Sequence, residues 1–221
     1  MRMVQAITSL GAYTAGQWGL VTAAQAKGAG VDSVTLLRLV DAGLLVRVRH
    51  GVYQLAVSEE SAHLAEKAAW LALRPAVAGW VRPKLDPDGG VVSHRSAALL
   101  QGLGDLVSER IEITVPRRRA TRDSEVKLRG RPLDEDEVTR VDGLPVTTVE
   151  RTVIDLLNDR VDASHMGQII HEANRRDRLD LDVLAEKVGC FSRRYGVTGR
   201  DGHALIEHLL SAVQDGRARA R

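Results

Sequence analysis

The sequence has very little cysteine and no long hydrophobic run. Cys190 is the only cysteine among 221 residues, which excludes an intramolecular disulfide and a cysteine-ligated zinc cluster. No apolar run approaches the roughly 20 residues that a membrane span needs. The first ten residues, MRMVQAITSL, lack the apolar core and cleavage site of a secretory signal. We therefore expect a cytoplasmic protein that does not contact a membrane.

The motifs of several enzyme classes are also missing. The chain has no glycine-rich loop of the kind that cradles phosphates and no strand-to-helix elbow around a nucleophilic serine. The pair His171-Glu172 lacks the second histidine of the helical zinc motif, and the spacing of His203 and His208 does not suit one helix face. We therefore expect no catalytic residue, no metal and no cofactor.

One weak enzyme pattern is present. Asp88, which follows a proline, together with Glu125 and Lys127, resembles the carboxylates and lysine of nucleases whose bound metal ion activates water. The stretch DPDGG around Asp88 is equally typical of a surface turn, and strands commonly direct charged residues outward. A metal-dependent nuclease is therefore an unfavoured alternative.

Charge is distributed unevenly, although the net formal charge is only +2. Residues 1–57 carry five basic and two acidic side chains, and residues 115–131 carry seven and two. Residues 132–190 carry seven basic and fourteen acidic side chains. Such segregation is informative about partners. A polyanion can bind at the basic segments, while the acidic segment faces a basic protein or water.

The first 57 residues have the pattern of a winged helix-turn-helix. We predict a helix at 4–13, a second helix capped by Thr22 and ending near Gly28, and a third helix capped by Asp32 or Ser33 and ended by Gly43. The strands LLVRV and VYQL then form a hairpin through residues 49–51. Three helices followed by a two-stranded wing are typical of this DNA-binding fold.

The rest of the chain mixes short strands with helices. Before the turn at 142–143 we predict a helix at 61–73, a strand at VVS, a helix capped by Ser93, and strands at RIEITV, VKLRG and EVTRV. After it, LPVTTVERTVIDLL predicts a helix whose capping box is Thr147 and Glu150, followed by helices at 163–175, 181–188 and 202–213.

These elements predict an α+β protein with two domains. The first is the winged helix-turn-helix domain of residues 1–57. The second, residues 58–214, is a larger mixed α+β domain with a helical C-terminal part. Residues 215–221, DGRARAR, form a basic tail.

The third helix and the wing are the candidate DNA-binding elements. In that helix we expect Val34, Leu36, Leu37 and Val40 to face the core, with Thr35 and Arg38 on the opposite face. A short helix can enter the major groove while a wing reaches the backbone or the adjacent minor groove. Arg47 and Arg49 fall on one face of the wing strand. An amphipathic helix and a polar hairpin that bind protein are the alternative. The DNA-binding hypothesis rests on Ser33, Thr35, Arg38, Arg47, Arg49 and His50.

A second basic cluster directly follows the strand that ends at Val115. Pro116 ends that strand, and four arginines follow within six residues. Guanidinium groups in a loop can clamp phosphates bidentately, so the cluster is a possible nucleic-acid or nucleotide site; a solvated surface is an equal alternative. The arginines are Arg117, Arg118, Arg119 and Arg122.

Four stretches in order, GLVTAAQAKGAGVDSVTLLRLVDAGLLVRVRHGVYQL, VVSHRSAALLQGLGD, IEITVPRRR and DGLPVTTVERTVIDLL, resemble the AbiEi-type antitoxins of bacterial toxin-antitoxin and phage-defence systems. The resemblance runs from about residue 5 to 160. It implies a winged helix that represses its own operon by binding double-stranded DNA at promoter repeats. It also implies a C-terminal domain that neutralises, directly or indirectly, a nucleotidyltransferase-like toxin encoded by a neighbouring gene.

The resemblance implies an antitoxin that is not an enzyme. The alternative is a plain transcriptional regulator whose second domain senses a small ligand or dimerises, and a toxin gene next to this one would distinguish the two.

Overall fold

A computed structural model describes residues 2–58 and 61–219 of the chain, with the side chains of the last helix described to residue 213. The fold is α+β, as predicted. The helices are α1 (Met3–Gly16), α2 (Ala23–Gly28), α3 (Ser33–Asp41), α4 (Leu64–Leu73), α5 (His94–Leu100), α6 (Val149–Asn158), α7 (Ala163–Arg175), α8 (Leu181–Val188) and α9 (Gly202–Arg219). The strands are β1 (Leu20–Thr22), β2 (Leu45–Arg49), β3 (Val52–Leu55), β4 (Val91–Val92), β5 (Ile111–Val115), β6 (Val126–Gly130), β7 (Val138–Val141) and β8 (Leu144–Thr147).

The chain divides into two compact units. Unit 1 comprises Met1–Val91 and Thr114–Pro132, and unit 2 comprises Val92–Ile113 and Leu133–Arg221. The domain border expected after residue 57 lies inside unit 1, so residues 1–57 as a separate domain remain a prediction.

The first helices of unit 1 and the wing share one core. Leu10 of α1, Ala26 of α2, Leu36 and Leu39 of α3, and Leu45 of β2 are buried together. The predicted helices and hairpin are confirmed. The wing also includes a third strand that was not predicted, because β1 pairs antiparallel with β3 and gives the sheet order β1-β3-β2. Three residues are too few to show the alternation by which a strand is recognised.

Buried polar side chains attach this three-helix core to a later part of unit 1. Thr22 caps α2 as predicted, in a full capping box with Gln25. The side chain of Gln25 also donates to the carbonyl of Val77 at 3.1 Å, and Gln17 accepts from the backbone N–H of Gly79 at 2.8 Å. Both glutamines are buried. The winged-helix segment is therefore packed against residues 77–79.

A five-stranded sheet has the order β6-β5-β4-β8-β7. Strand β8 pairs parallel with β4 through Val146 and Val92 and antiparallel with β7. Asp142 and Gly143 connect β7 to β8 with positive φ angles of 48° and 80°, as a tight two-residue hairpin turn requires. The turn was predicted from the sequence, but β8 was not.

Two predicted helix starts need correction. The side chain of Thr148, not Thr147, accepts from the N–H of Arg151 and caps α6, because Thr147 is the last residue of β8. Ser93 occupies the first position before α5, as predicted, but its side chain makes no capping hydrogen bond; its hydroxyl lies 2.9 Å from Nδ1 of His94.

The C-terminal helices of unit 2 enclose its core. Helices α7 and α8 have the predicted bounds, and α9 is longer than predicted. Gly167 allows α7 and α9 to approach closely, since a Cβ there would lie 2.0 Å from the carbonyl oxygen of Leu209. Residues 215–219 of the expected basic tail continue the backbone of α9, and residues 220 and 221 lie outside the described residues.

Candidate nucleic-acid interface

Both ends of α3 are fixed by local hydrogen bonds. Oδ1 of Asp32 accepts from the N–H of Thr35 at 2.8 Å, and this bond lowers the pKa of Asp32. At the other end Gly43 has a φ of +69°, and its N–H bonds to the carbonyl of Val40 while the next N–H bonds to that of Leu39. Of the two predicted capping residues, Asp32 therefore caps α3, and the prediction that Gly43 ends this helix is confirmed.

The orientation predicted for α3 is wrong in part. Thr35 is only 6% exposed and packs inward, whereas Val34 and Leu37 are 53% and 58% exposed. Aliphatic residues lie on more than one side of α3, so their spacing does not specify which side meets the core. The solvent-facing side of α3 carries Ser33, Val34, Leu37 and Arg38.

The wing presents Arg47 and His50 to solvent. Arg47 pairs across the hairpin with Tyr53, and its Nη2 donates to Nδ1 of His50 at 2.8 Å. His50 lies at the tip of the hairpin, Arg47 lies in β2 three residues before it, and both side chains are exposed. Strand β2 and helix α3 pack into the same hydrophobic core. This shared core fixes the position of the wing relative to α3.

Arg49 does not act as a second free cation of the wing. The ladder between β2 and β3 is irregular between Arg47 and Arg49, so the two arginines do not follow the plain alternation expected from the sequence. Arg49 bonds through Nη1 to Asp123 and through Nη2 to Glu125, the latter at 3.2 Å, and its side chain is only 7% exposed. Two carboxylates of the same unit therefore neutralise this guanidinium.

The four arginines of the second basic cluster also differ in their environments. Arg119 is half-buried, which lowers its pKa, and it donates to the carbonyls of Leu73, Asp88 and Gly89 at 3.0 to 3.4 Å. Arg119 is therefore engaged inside unit 1. The exposed arginines of the cluster are Arg117, Arg118 and Arg122.

The residues of the nuclease alternative are not arranged around a metal. Glu125 binds Arg49, and Asp88 lies 3.8 Å from Arg117 in an exposed ion pair. Among the described residues no group of three histidine, cysteine, aspartate or glutamate side chains is placed to hold a metal ion. In the same part of the chain, no helix combines the length and apolar character that crossing a membrane requires.

Unit 2 contains a partly buried ionic network that was not predicted from the sequence. Arg151 of α6 bonds to both carboxylate oxygens of Glu137 at 2.7 Å and to Asp155 at 3.0 Å. Burial opposes the charge of Arg151, but Asp155 and Glu137 raise its pKa. The four-residue spacing of Arg151 and Asp155 on one helix was the available signal. The network links α6 to Glu137, which directly precedes β7. The guanidinium of Arg151 is therefore paired with carboxylates of unit 2.

Comparison with known proteins supports a regulatory family for the first part of the chain. Residues 12–56 match the family model described as a transcriptional regulator, AbiEi antitoxin, which confirms the resemblance over α2, α3 and the wing. No curated protein matches the chain. The crystal structure of the RV2827C protein from Mycobacterium tuberculosis is similar, with a TM-score of 0.55, 17% sequence identity, and coverage of 93% of this chain and 81% of that chain. At that identity the likeness concerns the fold alone.

Proposed function

We propose that this protein is a non-enzymatic, cytoplasmic antitoxin that binds double-stranded DNA and represses the promoter of its own toxin-antitoxin operon. The observation that carries the proposal is the exposed side of α3, with Ser33 and Arg38, next to a wing with Arg47 and His50, all within the segment that matches the antitoxin model. We assign base reading to α3 and phosphate contact to the wing.

The chemistry of these groups suits a duplex. The fork of donors on Arg38 can bind the O6 and N7 acceptors of guanine, and the hydroxyl of Ser33 can bond to a base edge or a phosphate. The apolar side chains of Val34 and Leu37 suit the methyl group of thymine. Arg47 supplies a cation for the backbone. Thr35 and Arg49, which were predicted to lie in the interface, are left out because one is buried and the other is paired.

Binding is best tested by fluorescence anisotropy with a labelled duplex of the gene's own promoter and an unrelated duplex of equal length. We expect tighter binding to the promoter and an affinity whose logarithm falls linearly with the logarithm of salt concentration. R38A should reduce the preference for the promoter, whereas R47A should weaken both duplexes alike. Equal affinity of the wild-type protein for both duplexes would contradict specific repression.

The antitoxin role is assigned to unit 2 together with the remainder of unit 1, and its target is a nucleotidyltransferase-like toxin, reached directly or indirectly. Expression of the neighbouring gene alone should arrest growth in a bacterial host, and co-expression of this chain should restore it. The variant R38A/R47A should lose repression of a promoter reporter but still restore growth. Loss of both functions in a folded R38A/R47A protein would contradict two separable roles.

A ligand-sensing regulator is the second candidate, and a cavity of about 930 Å³ in unit 1 favours it. The apolar lining of this cavity includes Ala23, Ala24, Ala69 and Ala72. His50 of the wing also lines it. A neighbouring gene that does not arrest growth, combined with promoter binding that changes with a small molecule, would favour this function.

A further inference from the structure

The loop between β5 and β6 is bound to the wing. We define the basic loop as residues 117–125. Asp123 and Glu125 at its end hold the guanidinium of Arg49, whose side chain is almost fully enclosed. Asp123 is 28% exposed and Glu125 is 75% exposed. Arg49 therefore contributes no free charge but holds two segments of unit 1 together.

The basic loop is also fixed from within and at its start. The carboxylate of Asp123 accepts from the N–H of Glu125 at 3.0 Å, and the hydroxyl of Thr121 accepts from the N–H of Asp123 at 3.0 Å. Arg119 donates to three backbone carbonyls of unit 1. The loop is thus held both at Arg119 and at Asp123, and Arg122 lies between these two attachments.

The remaining cations of the loop are exposed. Arg117, Arg118 and Arg122 face solvent, and Arg122 lines the same cavity as His50 and Gly51 of the wing tip. Within the described wing, residues 45–55, Arg47 is the arginine that no carboxylate neutralises. A winged helix that contacts a duplex through one wing arginine would release few counterions. Arg122 adds a cation beside the tip, and Arg117, which lies 3.8 Å from Asp88, and Arg118 add exposed cations elsewhere on the same loop.

We infer that the basic loop and the wing form one phosphate-binding surface for duplex DNA, in which Arg117, Arg118 and Arg122 contact the backbone and Arg49 is the positioning residue that attaches the loop to the wing. This inference rests on the proposed function, since it takes duplex DNA as the ligand. It assigns a role to the basic cluster and to the acidic residues that follow it.

The inference is tested by salt dependence in a double-mutant cycle with the promoter duplex. We expect R122A to reduce the slope of log K against log salt by about 0.9, the effect of removing one cation from the phosphates. The double variant R117A/R118A should reduce it by about 0.9 to 1.8, because Asp88 at 3.8 Å partly neutralises Arg117. R175A, an exposed arginine on α7 in unit 2, is the matched control for the removal of one charge and should leave the slope unchanged.

The cycle then combines R122A with removal of the attachment. In an R49A background the further effect of R122A should disappear, because the loop is no longer held at the wing. D123N/E125Q removes the same attachment from the other side while keeping Arg49, so the effect of R122A should disappear there too. Circular dichroism melts of each variant report folding, and D123N/E125Q keeps the test decisive if R49A does not fold.

The outcomes separate the two proposals. Failure of the wild-type protein to bind any duplex overturns the proposed function and this inference with it. Duplex binding that R47A weakens but R122A does not overturns the inference alone. The inference is also overturned if R122A reduces the salt slope equally with and without the attachment. In that case the loop would contact DNA independently of Arg49.

Discussion

Arg47 and Arg49 lie two positions apart in one strand and have different physical environments. Arg47 is exposed and bonds to His50, while Arg49 is enclosed by two carboxylates from a segment more than 70 residues later. The basic character of the wing could be predicted from sequence, but the pairing of Arg49 could not. No local pattern reveals a partner at that separation, and the bulge removes the simple alternation that placed both side chains on one face.

The exposed aliphatic residues of α3 give a prediction about how sequence is read. L37A should weaken promoter binding by about fourfold for each thymine methyl group that position 37 no longer covers, since a buried methylene contributes about 0.8 kcal/mol. The salt slope should stay at the wild-type value, because no cation is removed. Anisotropy with the promoter duplex measures both quantities.

A duplex with deoxyuridine in place of thymine provides the control for L37A. It should weaken wild-type binding as L37A does and should have little further effect on L37A itself. A changed salt slope in L37A, or equal affinity of the wild-type protein for both duplexes, would contradict the contact.

Asp32 gives a prediction about pH. The hydrogen bond from Thr35 lowers its pKa from the ordinary value of 3.8, so the folded state favours the charged form. The stabilisation is fully present above pH 3.8 and is lost as the pH falls through the lower, folded value. The difference in thermal midpoint between the wild-type protein and D32N should therefore shrink in acid. A difference that is the same at neutral pH and below the folded pKa would show that the charge of Asp32 contributes nothing.

The helix and strand boundaries were predictable where a chemical signal marks them. Thr22, Asp32 and Gly43 begin or end helices as expected, and helices α7 and α8 have the expected bounds. Strands β1 and β8 were missed, whereas the still shorter β4, which also runs into a helix cap, was predicted from its two valines. The start of α6 was placed one residue early, because Thr147 and Thr148 are adjacent and either residue type suits a helix cap.

The glycine after α3 gives a prediction about stability. G43A should lower the free energy of unfolding by about 1 kcal/mol, because a Cβ is unfavourable at a φ of +69° even though no atom lies within 4 Å of it. G28A at the end of α2 is the matched control, since its Cβ also meets open space but its φ is not positive. G28A should be neutral or stabilising by up to about 1 kcal/mol. Urea unfolding measures both, and equal effects would show that backbone strain at Gly43 is not the cause.

The extent of unit 1 could not be predicted from the sequence. The winged-helix segment bonds to Val77 and Gly79 through the buried side chains of Gln25 and Gln17, and each pair lies more than 50 positions apart in sequence. The winged helix-turn-helix pattern ends near residue 57 and suggests a border there, but a local sequence pattern carries no information on such contacts. The likeness to a solved structure at 17% identity concerns the fold alone, and a fold can be reached with largely different residues when volume and hydrophobic patterning are kept.

Removal of the Gln17 side chain tests how strongly the winged helix depends on the rest of unit 1. The buried N–H of Gly79 and the side chain of Gln25 each form a hydrogen bond with the Gln17 side chain. Q17A removes both of these bonds. We expect the free energy of unfolding to fall by about 2 kcal/mol or more. Q5A, an exposed glutamine on the helix just before Gln17, should change it by less than about 0.5 kcal/mol. Equal urea midpoints for Q17A and Q5A would contradict a structural role for this link.

Site-specific photo-cross-linking determines whether α3 and the wing contact the same duplex. A photoreactive amino acid replaces Leu37 in one protein and His50 in another, and each is irradiated with the promoter duplex. We expect cross-links from position 37 to bases in the major groove and from position 50 to the adjacent backbone or minor groove of the same site. No DNA cross-link from either position, under conditions where the duplex is bound, would contradict it.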